Sequence, residues 1–261
     1  MVVNDTNPDT NVQEREYMRL LGFPANHEPG ERSRELMEWA RAWYKENGKP
    51  WIYARRAAEI ALSNGQVRID NEMFSSKRLH HQLAHAAGEG AILAAVSAGP
   101  ELEEHTRGLW EEGKPDEYFF LEIFGSALVE QLIAAASFRF CEWADGEGMA
   151  VLPHDSPGYP GWEISEQGKL LDILLGTGAI PGKLEALESG MLRPKKSLLG
   201  VFGVTRNVDQ VQRLSSLVPC QSCSFQPCQY RRAPFRKHLP RLEDLSRVQR
   251  TFTVQGERRP Q

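Results

Sequence analysis

Apolar residues recur at helical spacing in six stretches of the chain, and each stretch predicts an amphipathic helix. In one of them Leu36, Met37 and Ala40 share a face, and Gly48 and Pro50 follow the last apolar residue. Glycine and proline at such positions end helices. The predicted helices cover residues 11–21, 31–47, 75–85, 100–113, 117–144 and 165–175.

Two of these helices begin at recognisable capping residues. Asn11 followed by Glu14 resembles a capping box, in which each side chain satisfies a backbone amide of the first turn. Ser75 or Ser76 is suited to cap the helix that ends near His85. The polar residues before the first helix, 1–12, are expected to be disordered.

Other stretches have the period of strands. Apolar residues alternate on both sides of Asn64-Gly65, which predicts a β-hairpin within residues 57–69. Four further strands are predicted at residues 91–96, 149–152, 184–189 and 197–204. Helices mixed with a hairpin and short strands favour an α+β fold over a doubly wound parallel sheet.

Composition narrows the class of protein. The 261 residues are 41% hydrophobic and 25% charged, which is ordinary for a soluble globular chain. The net charge of −4 makes nucleic acid an improbable partner. No apolar run looks long enough to span a membrane, and the N-terminus lacks the features of a signal peptide. A cytoplasmic location is therefore expected.

Three cysteines follow a change in composition near residue 206. Cys220, Cys223 and Cys228 have a spacing that can present thiolates to one metal ion, either zinc or the iron of an iron–sulfur cluster. Cys141 and His238 are candidates for a fourth ligand. We expect residues 207–234 to form this cysteine segment and residues 235–261 to form a basic, partly disordered tail.

Two other groups of polar residues have alternative interpretations. His81 and His85 lie one helical turn apart, but Gln82 stands where a zinc protease motif has its glutamate, so a structural role is favoured. Glu130 lies in an otherwise apolar helical stretch. It belongs either to an exposed stripe or to a cleft where its carboxylate faces a cation. Glycine-rich nucleotide motifs and a Gly-x-Ser-x-Gly elbow are absent.

Residues 152–162 contain three prolines, two glycines and two large aromatic residues. Proline fixes φ, and glycine admits backbone angles closed to other residues, so the mixture predicts a rigid loop of unusual shape. A packed surface loop is one interpretation. A ligand site is the other, because glycine lets a ligand approach the backbone closely.

Four features resemble the activation domain of cobalamin-dependent methionine synthase, and especially the free-standing relatives of that domain. The similarity runs from roughly residue 13 to residue 206. One of the four features is the helix that contains Glu130. The other three features are Pro157-Gly-Tyr-Pro160, Met191-Leu-Arg-Pro194-Lys-Lys-Ser197 before an apolar strand, and Arg19-Leu-Leu-Gly-Phe-Pro24.

The resemblance implies a twisted antiparallel sheet with flanking helices. It also implies binding of S-adenosylmethionine (AdoMet), which is presented to cobalamin that has been oxidised to the cob(II) state. One electron and the methyl group then restore methylcobalamin. This sequence lacks an Asp-x-His-x-x-Gly cobalamin motif. Cobalamin is therefore expected on a separate corrinoid methyltransferase, such as methionine synthase, with a flavodoxin or ferredoxin as a suitable electron donor.

The same resemblance implies roles for individual residues. Glu130 is the carboxylate near the cationic end of AdoMet, and Ser156 and Gly158 offer backbone contacts. Tyr159 lies at the site, stacking or hydrogen bonding, and is the candidate catalytic residue. His154 occupies the position where the family has an arginine that binds the ligand carboxylate.

His154 is a departure from the family, because a largely neutral imidazole does not replace a bidentate guanidinium. Arg193, Arg231 and Arg232 are candidates to supply the missing charge. The cysteine segment is a second departure. An alternative function follows from both, in which the fold serves as a non-catalytic metal-binding interaction or electron-relay protein that docks through its cysteines and tail.

Overall fold

The computed structural model describes residues 1–24, 27–176 and 180–211. Within these ranges the chain forms α-helices and β-strands around one main sheet. The helices are α1 (Glu14–Leu20), α2 (Glu31–Asn47), α3 (Lys77–His85), α4 (Pro100–Glu111), α5 (Pro115–Gly146) and α6 (Gln167–Leu175). The strands are β1 (Val2–Asp5), β2 (Trp51–Arg56), β3 (Ile60–Ser63), β4 (Gln66–Ile69), β5 (Glu72–Phe74), β6 (Gly90–Ser97), β7 (Ala150–Val151), β8 (Glu185–Ala186), β9 (Leu192–Arg193) and β10 (Ser197–Thr205).

The main sheet has five strands in the order β1-β2-β6-β10-β7, and every neighbouring pair is antiparallel. Its two central strands, β6 and β10, pair along eight residues, from Ser197 opposite Ser97 to Val204 opposite Gly90. Smaller sheets combine β3-β4-β5 and β8-β9. The predicted α+β class with an antiparallel sheet is confirmed.

Both faces of the main sheet are covered. On one face Ile92, Ala94 and Val96 of β6 pack with residues of α1, α2, α4 and α5. On the other face Ala91 and Leu93 pack with α3, α6 and the β3-β4-β5 sheet. Because strands alternate their side chains, burial on both faces accounts for apolar residues at every position from 91 to 96 of β6. This is why the sequence shows an unbroken apolar run there.

The longest helix, α5, lies in the first of these two cores, where it contacts α1, α2 and α4. It is the one helix in the described ranges that is long and apolar enough to cross a membrane, and 56% of its apolar window is buried inside the fold. The expectation that no stretch has this length and composition was therefore wrong. The burial is that of a core helix.

The prediction that residues 1–12 are disordered was also wrong in part. Val2 pairs with Arg55 and Asp5 pairs with Ile52, so β1 forms the edge of the main sheet. Arg139 of α5 forms an ion pair with Asp5. The four residues Val-Val-Asn-Asp are too few to show the alternation that marks a strand, so the sequence gave no sign of β1.

The turns and caps depend on local sequence to different degrees. The hairpin at Asn64-Gly65 is confirmed, and both residues have positive φ. Ser76 is the cap of α3, with its Oγ accepting a hydrogen bond of 3.0 Å from the amide of Leu79. The capping box at Asn11 is not formed. Helix α1 begins after Gln13, without a side-chain cap.

Several predictions fall outside the described ranges. They concern the cysteine segment (207–234) beyond residue 211 and the basic tail (235–261). They also concern the metal ligands Cys220, Cys223, Cys228 and His238, and the two arginines Arg231 and Arg232.

Candidate functional site

Residues 152–162, here called the Pro-Gly loop, fold into two consecutive tight turns. The amide of Tyr159 donates to the carbonyl of Ser156 at 3.0 Å, and the amide of Trp162 donates to the carbonyl of Tyr159 at 2.9 Å. Each turn has proline second and glycine third, with φ of 92° at Gly158 and 89° at Gly161. This is the pattern of type II turns, which need positive φ at the third residue. The predicted rigid loop is therefore formed by local sequence.

The start of the loop continues the edge of the main sheet. After β7, the amide of Leu152 donates to the carbonyl of Gly203 at 2.8 Å. Asp155 and Val201 then exchange two backbone hydrogen bonds of 2.9 and 2.8 Å. These contacts fix the Pro-Gly loop along β10.

Pairing with β10 sends neighbouring loop residues to opposite faces of the sheet. The ring of His154 lies 5.3 Å from the ring of Phe202, which belongs to the core shared with α5. Asp155 lies opposite Val201, which belongs to the core shared with α3. His154 therefore faces the side of the sheet where Glu130 is located.

His154 and Tyr159 lie together in the structure. Their side chains meet at 3.2 Å between His154 Nε2 and Tyr159 Oη, and the ring centroids are 5.7 Å apart. His154 is half-buried. Burial, with a smaller effect from the charge of Arg78, lowers the pKa of His154 to about 4. The imidazole is therefore neutral at physiological pH and supplies no positive charge to this site.

Glu130 is half-buried on α5, between two residues that approach β10. Ser126, one turn earlier, accepts a hydrogen bond of 2.8 Å from Lys196 at the start of β10. Ile133, one turn later, and His154 both come within 3.7 Å of the position that a Cβ at Gly200 would occupy. The helix face that contains Glu130 thus runs beside β10 towards His154.

Ser156 and Gly158 occupy different environments within the loop. Ser156 is 3% exposed, and its hydroxyl donates to the carbonyl of Pro157 at 3.3 Å. Gly158 is exposed, and its amide donates to Trp162 at 2.9 Å. A Cβ at Gly158 would meet Ile164 at 3.5 Å, an ordinary van der Waals contact, and the φ of 92° favours glycine at this position.

Sequence reasoning missed Asp155, which anchors the Pro-Gly loop on the face of the sheet that packs with α3. Asp155 is 0% exposed, and its Oδ2 accepts a hydrogen bond of 2.5 Å from the hydroxyl of Ser76. Arg78 lies 3.9 Å from its other carboxylate oxygen. Burial raises the pKa of Asp155, although Ser76, Arg78 and two backbone amides act against the shift. The only sequence signal was Ser76, which was identified as a cap and not as a donor to Asp155.

The far end of the loop is held by Trp162. Its ring is 3% exposed and packs edge-on against Phe74, with centroids 5.7 Å apart. Its Nε1 donates to Glu166 at 2.8 Å, and the amide of Ser75 donates to the same carboxylate oxygen at 3.0 Å. Both ends of the Pro-Gly loop are therefore fixed to the segment around the start of α3.

The remaining predicted residues in the described ranges lie elsewhere. His81 and His85 are exposed and stack on each other at 6.0 Å. Cys141 is a half-buried free thiol on α5. Arg193 is exposed and pairs with Glu185 at 3.1 Å. Over the residues that are described, no group of three or more His, Cys, Asp or Glu side chains could hold a metal ion.

Comparison with known proteins gives one informative result. No family model and no curated protein matches the chain. Among solved structures, the crystal structure of the MetH reactivation domain bound to AdoHcy matches 78% of this chain and 78% of its own, with a TM-score of 0.55. The sequences are 11% identical, so the likeness concerns the fold. The chain described here has the fold of the MetH reactivation domain.

Proposed function

We propose that this chain is an AdoMet-binding module that reactivates, by reductive methylation, the cobalamin of a separate methionine synthase or other corrinoid methyltransferase. The matched structure is the MetH reactivation domain bound to AdoHcy. AdoHcy is what remains when AdoMet has transferred its methyl group, so a ligand of this class is a reasonable expectation for the same fold.

One observation supports the proposal above the others. The Pro-Gly loop is fixed along β10 and holds His154 against Tyr159 on the face of the sheet that packs with α5. Glu130 lies on the adjacent face of α5. A carboxylate, a phenol and a glycine backbone thus lie on rigid elements, and positioning of a methyl donor requires such elements.

The residues fit the cationic part of AdoMet better than its carboxylate. Glu130 offers a negative charge, and we propose that it lies near the cationic end of the ligand. His154, with a pKa of about 4, offers no cation at neutral pH. The ligand carboxylate then lacks the guanidinium that the resemblance implies at this position, and Arg193 is already paired with Glu185.

In the proposed reaction AdoMet supplies the methyl group and an external donor supplies one electron. The chain's own residues bind and orient. We propose that the backbone of Ser156 and Gly158 contacts the ligand and that Tyr159 stacks on the ligand or hydrogen bonds to it. Fixing the loop at both ends limits its movement, so that little ordering entropy remains to be lost on binding.

A substitution at Glu130 tests this assignment. We expect Glu130→Gln to weaken AdoMet binding about tenfold, because it removes a carboxylate beside a cation. Calorimetry with AdoMet and AdoHcy shows which cation is involved. A larger loss for AdoMet assigns Glu130 to the sulfonium, and an equal loss assigns it to the ammonium group.

Glu142→Gln is the matched control, because Glu142 is an exposed carboxylate on the same helix. It should leave both affinities unchanged. Equal affinities of the Glu130→Gln variant and the unmodified protein for both ligands would contradict the assignment.

The partners and the cysteines extend the same proposal. We propose that cobalamin arrives on a corrinoid methyltransferase in the cytoplasm and that a flavodoxin or ferredoxin supplies the electron. Cys220, Cys223 and Cys228 are proposed to bind zinc or an iron–sulfur cluster. Metal analysis after anaerobic purification tests this. Iron with sulfide would support an electron relay, zinc a structural role, and neither would remove the cluster.

A further inference from the structure

A cavity of about 300 Å³ lies away from the Pro-Gly loop, between the segment before α1 and the helices α2 and α5. Its size falls at the lower end of the range for ligand pockets, roughly 300–1,000 Å³. The lining residues are Asp9, Thr10, Asn11, Arg41, Tyr44, Lys45 and Phe124.

Arg41 is the central cation of this cavity. It is half-buried, and its Nη1 donates to the carbonyl of Val12 at 2.7 Å. Its guanidinium lies over the rings of Tyr17 and Phe124, 5.4 and 5.9 Å from their centroids. Across residues 1–24, 27–176 and 180–211, no carboxylate forms an ion pair with Arg41. Backbone and rings therefore hold a guanidinium whose negative partner is not part of that set.

The other charges in the lining limit the kind of partner. Lys45 adds a second cation, and Asp9 adds a carboxylate whose Oδ1 accepts the amide of Asn11 at 2.9 Å. Two cations and one carboxylate leave a net formal charge of +1. This charge matches a ligand with one negative charge and disfavours a dianion, which Asp9 would repel.

Two buried rings support the cavity. Phe124 is buried, and the hydroxyl of Tyr44 is directed away to the carbonyl of Ala98 at 2.7 Å. Both residues are only 2% exposed, so their rings form the covered floor beneath Arg41. We propose that the cavity binds a small monocarboxylate, with its carboxylate on Arg41.

This site is separate from the one proposed for AdoMet. Phe124 and Glu130 lie on different faces of α5, since six residues correspond to more than one and a half helical turns. The inference does not depend on the function proposed above. Binding of AdoMet should be unaffected by loss of Arg41, so the two proposals can fail separately.

The test uses isocaproate as the probe, its neutral amide as a control ligand, and inorganic phosphate as a dianion. Amide NMR of the full chain should show saturable isocaproate-dependent shifts at Asn11 and Thr10. We expect Arg41→Met to weaken isocaproate binding about tenfold or more, because it removes a charge-assisted contact and keeps the apolar stem.

Arg34→Met is the matched control, because Arg34 is an exposed arginine on the same helix that pairs with Glu28. It should bind isocaproate as the unmodified protein does. Lys45→Met, at an exposed position, should weaken binding about twofold to threefold, and it remains informative if the Arg41 variant does not fold. Three results would overturn the inference: equal binding of the neutral amide, unchanged affinity in both the Arg41 and the Lys45 variants, or tighter binding of phosphate.

Discussion

Replacing Ser76 with alanine removes two hydrogen bonds that meet at one hydroxyl. Ser76 Oγ accepts from the amide of Leu79 as the cap of α3, and it donates to Asp155 at 2.5 Å beneath the Pro-Gly loop. Loss of a helix cap costs about 1 kcal/mol. A buried carboxylate that loses its donor costs about 1–3 kcal/mol more. We expect Ser76→Ala to lower the free energy of unfolding by about 2–4 kcal/mol at neutral pH.

The cost should depend on pH. Burial raises the pKa of Asp155 in the folded protein, so its contribution to stability is fully present at acidic pH and is lost as pH rises through the folded-state pKa. Ser76 donates to the ionised carboxylate and thereby limits the shift. Without it the folded-state pKa rises further, and the cost of Ser76→Ala should grow from acidic to neutral pH.

Urea unfolding at acidic pH and at neutral pH measures the change in the cost of Ser76→Ala directly. Ser75→Ala is the control, because Ser75 is the neighbouring serine before α3, is half-buried, and contributes its backbone amide to Glu166. It should change the free energy of unfolding by less than about 0.5 kcal/mol. Equal costs for the two serines, or a cost of Ser76→Ala that is independent of pH, would refute the anchoring role of Asp155.

Two further substitutions test the supports of the site and the sheet. Trp162→Phe keeps the ring beside Phe74 but removes the donor to Glu166, and we expect it to lower the free energy of unfolding by about 1 kcal/mol in urea unfolding. Burial raises the pKa of Asp70, but the hydrogen bond from Arg55 and two backbone amides outweigh it and lower the pKa. The contribution of Asp70 to stability is therefore present above its unfolded pKa and is lost as pH falls through the folded one. Asp70→Asn should cost about 3 kcal/mol at neutral pH, because it leaves Arg55 buried without its charge partner, and much less in acid.

Each of these two substitutions has a control variant. Trp110→Phe changes an exposed tryptophan and should leave stability unchanged. Asp209→Asn changes an exposed aspartate and should have little effect at either pH. A loss at Trp110 as large as that at Trp162, or an Asp70→Asn variant that costs as much in acid as at neutral pH, would count against these contacts.

The elements that the sequence predicted correctly are those with local causes. Two Pro-Gly pairs form the two turns of the Pro-Gly loop, and Asn64-Gly65 forms its hairpin, because positive φ is a property of the residue itself. Strand β2 was missed because its causes are not local. Its sequence, Trp-Ile-Tyr-Ala-Arg-Arg, does not alternate, and the partners of the buried Arg55 include Asp70 of the β4–β5 turn and the distant carbonyl of Ile173.

In the candidate site, too, the contact between residues close in sequence could be predicted and the contacts between distant residues could not. Tyr159 and His154 lie close together in sequence, and the structure brings their side chains into contact. Asp155 could not be predicted, because its burial depends on Ser76, 79 residues earlier in the chain. Nor could the low pKa of His154, which results from packing against Phe202 and from the rest of its burial.

The absence of a cation at His154 gives the most direct test of the proposed function. Calorimetric titration of AdoMet should show weak binding to the unmodified protein and about tenfold tighter binding to His154→Arg, because arginine adds charge-assisted hydrogen bonds to the ligand carboxylate. His85→Arg adds the same charge at an exposed position of α3 and should leave the affinity unchanged. No heat of binding from either the unmodified protein or His154→Arg at millimolar AdoMet would contradict an AdoMet site at the Pro-Gly loop.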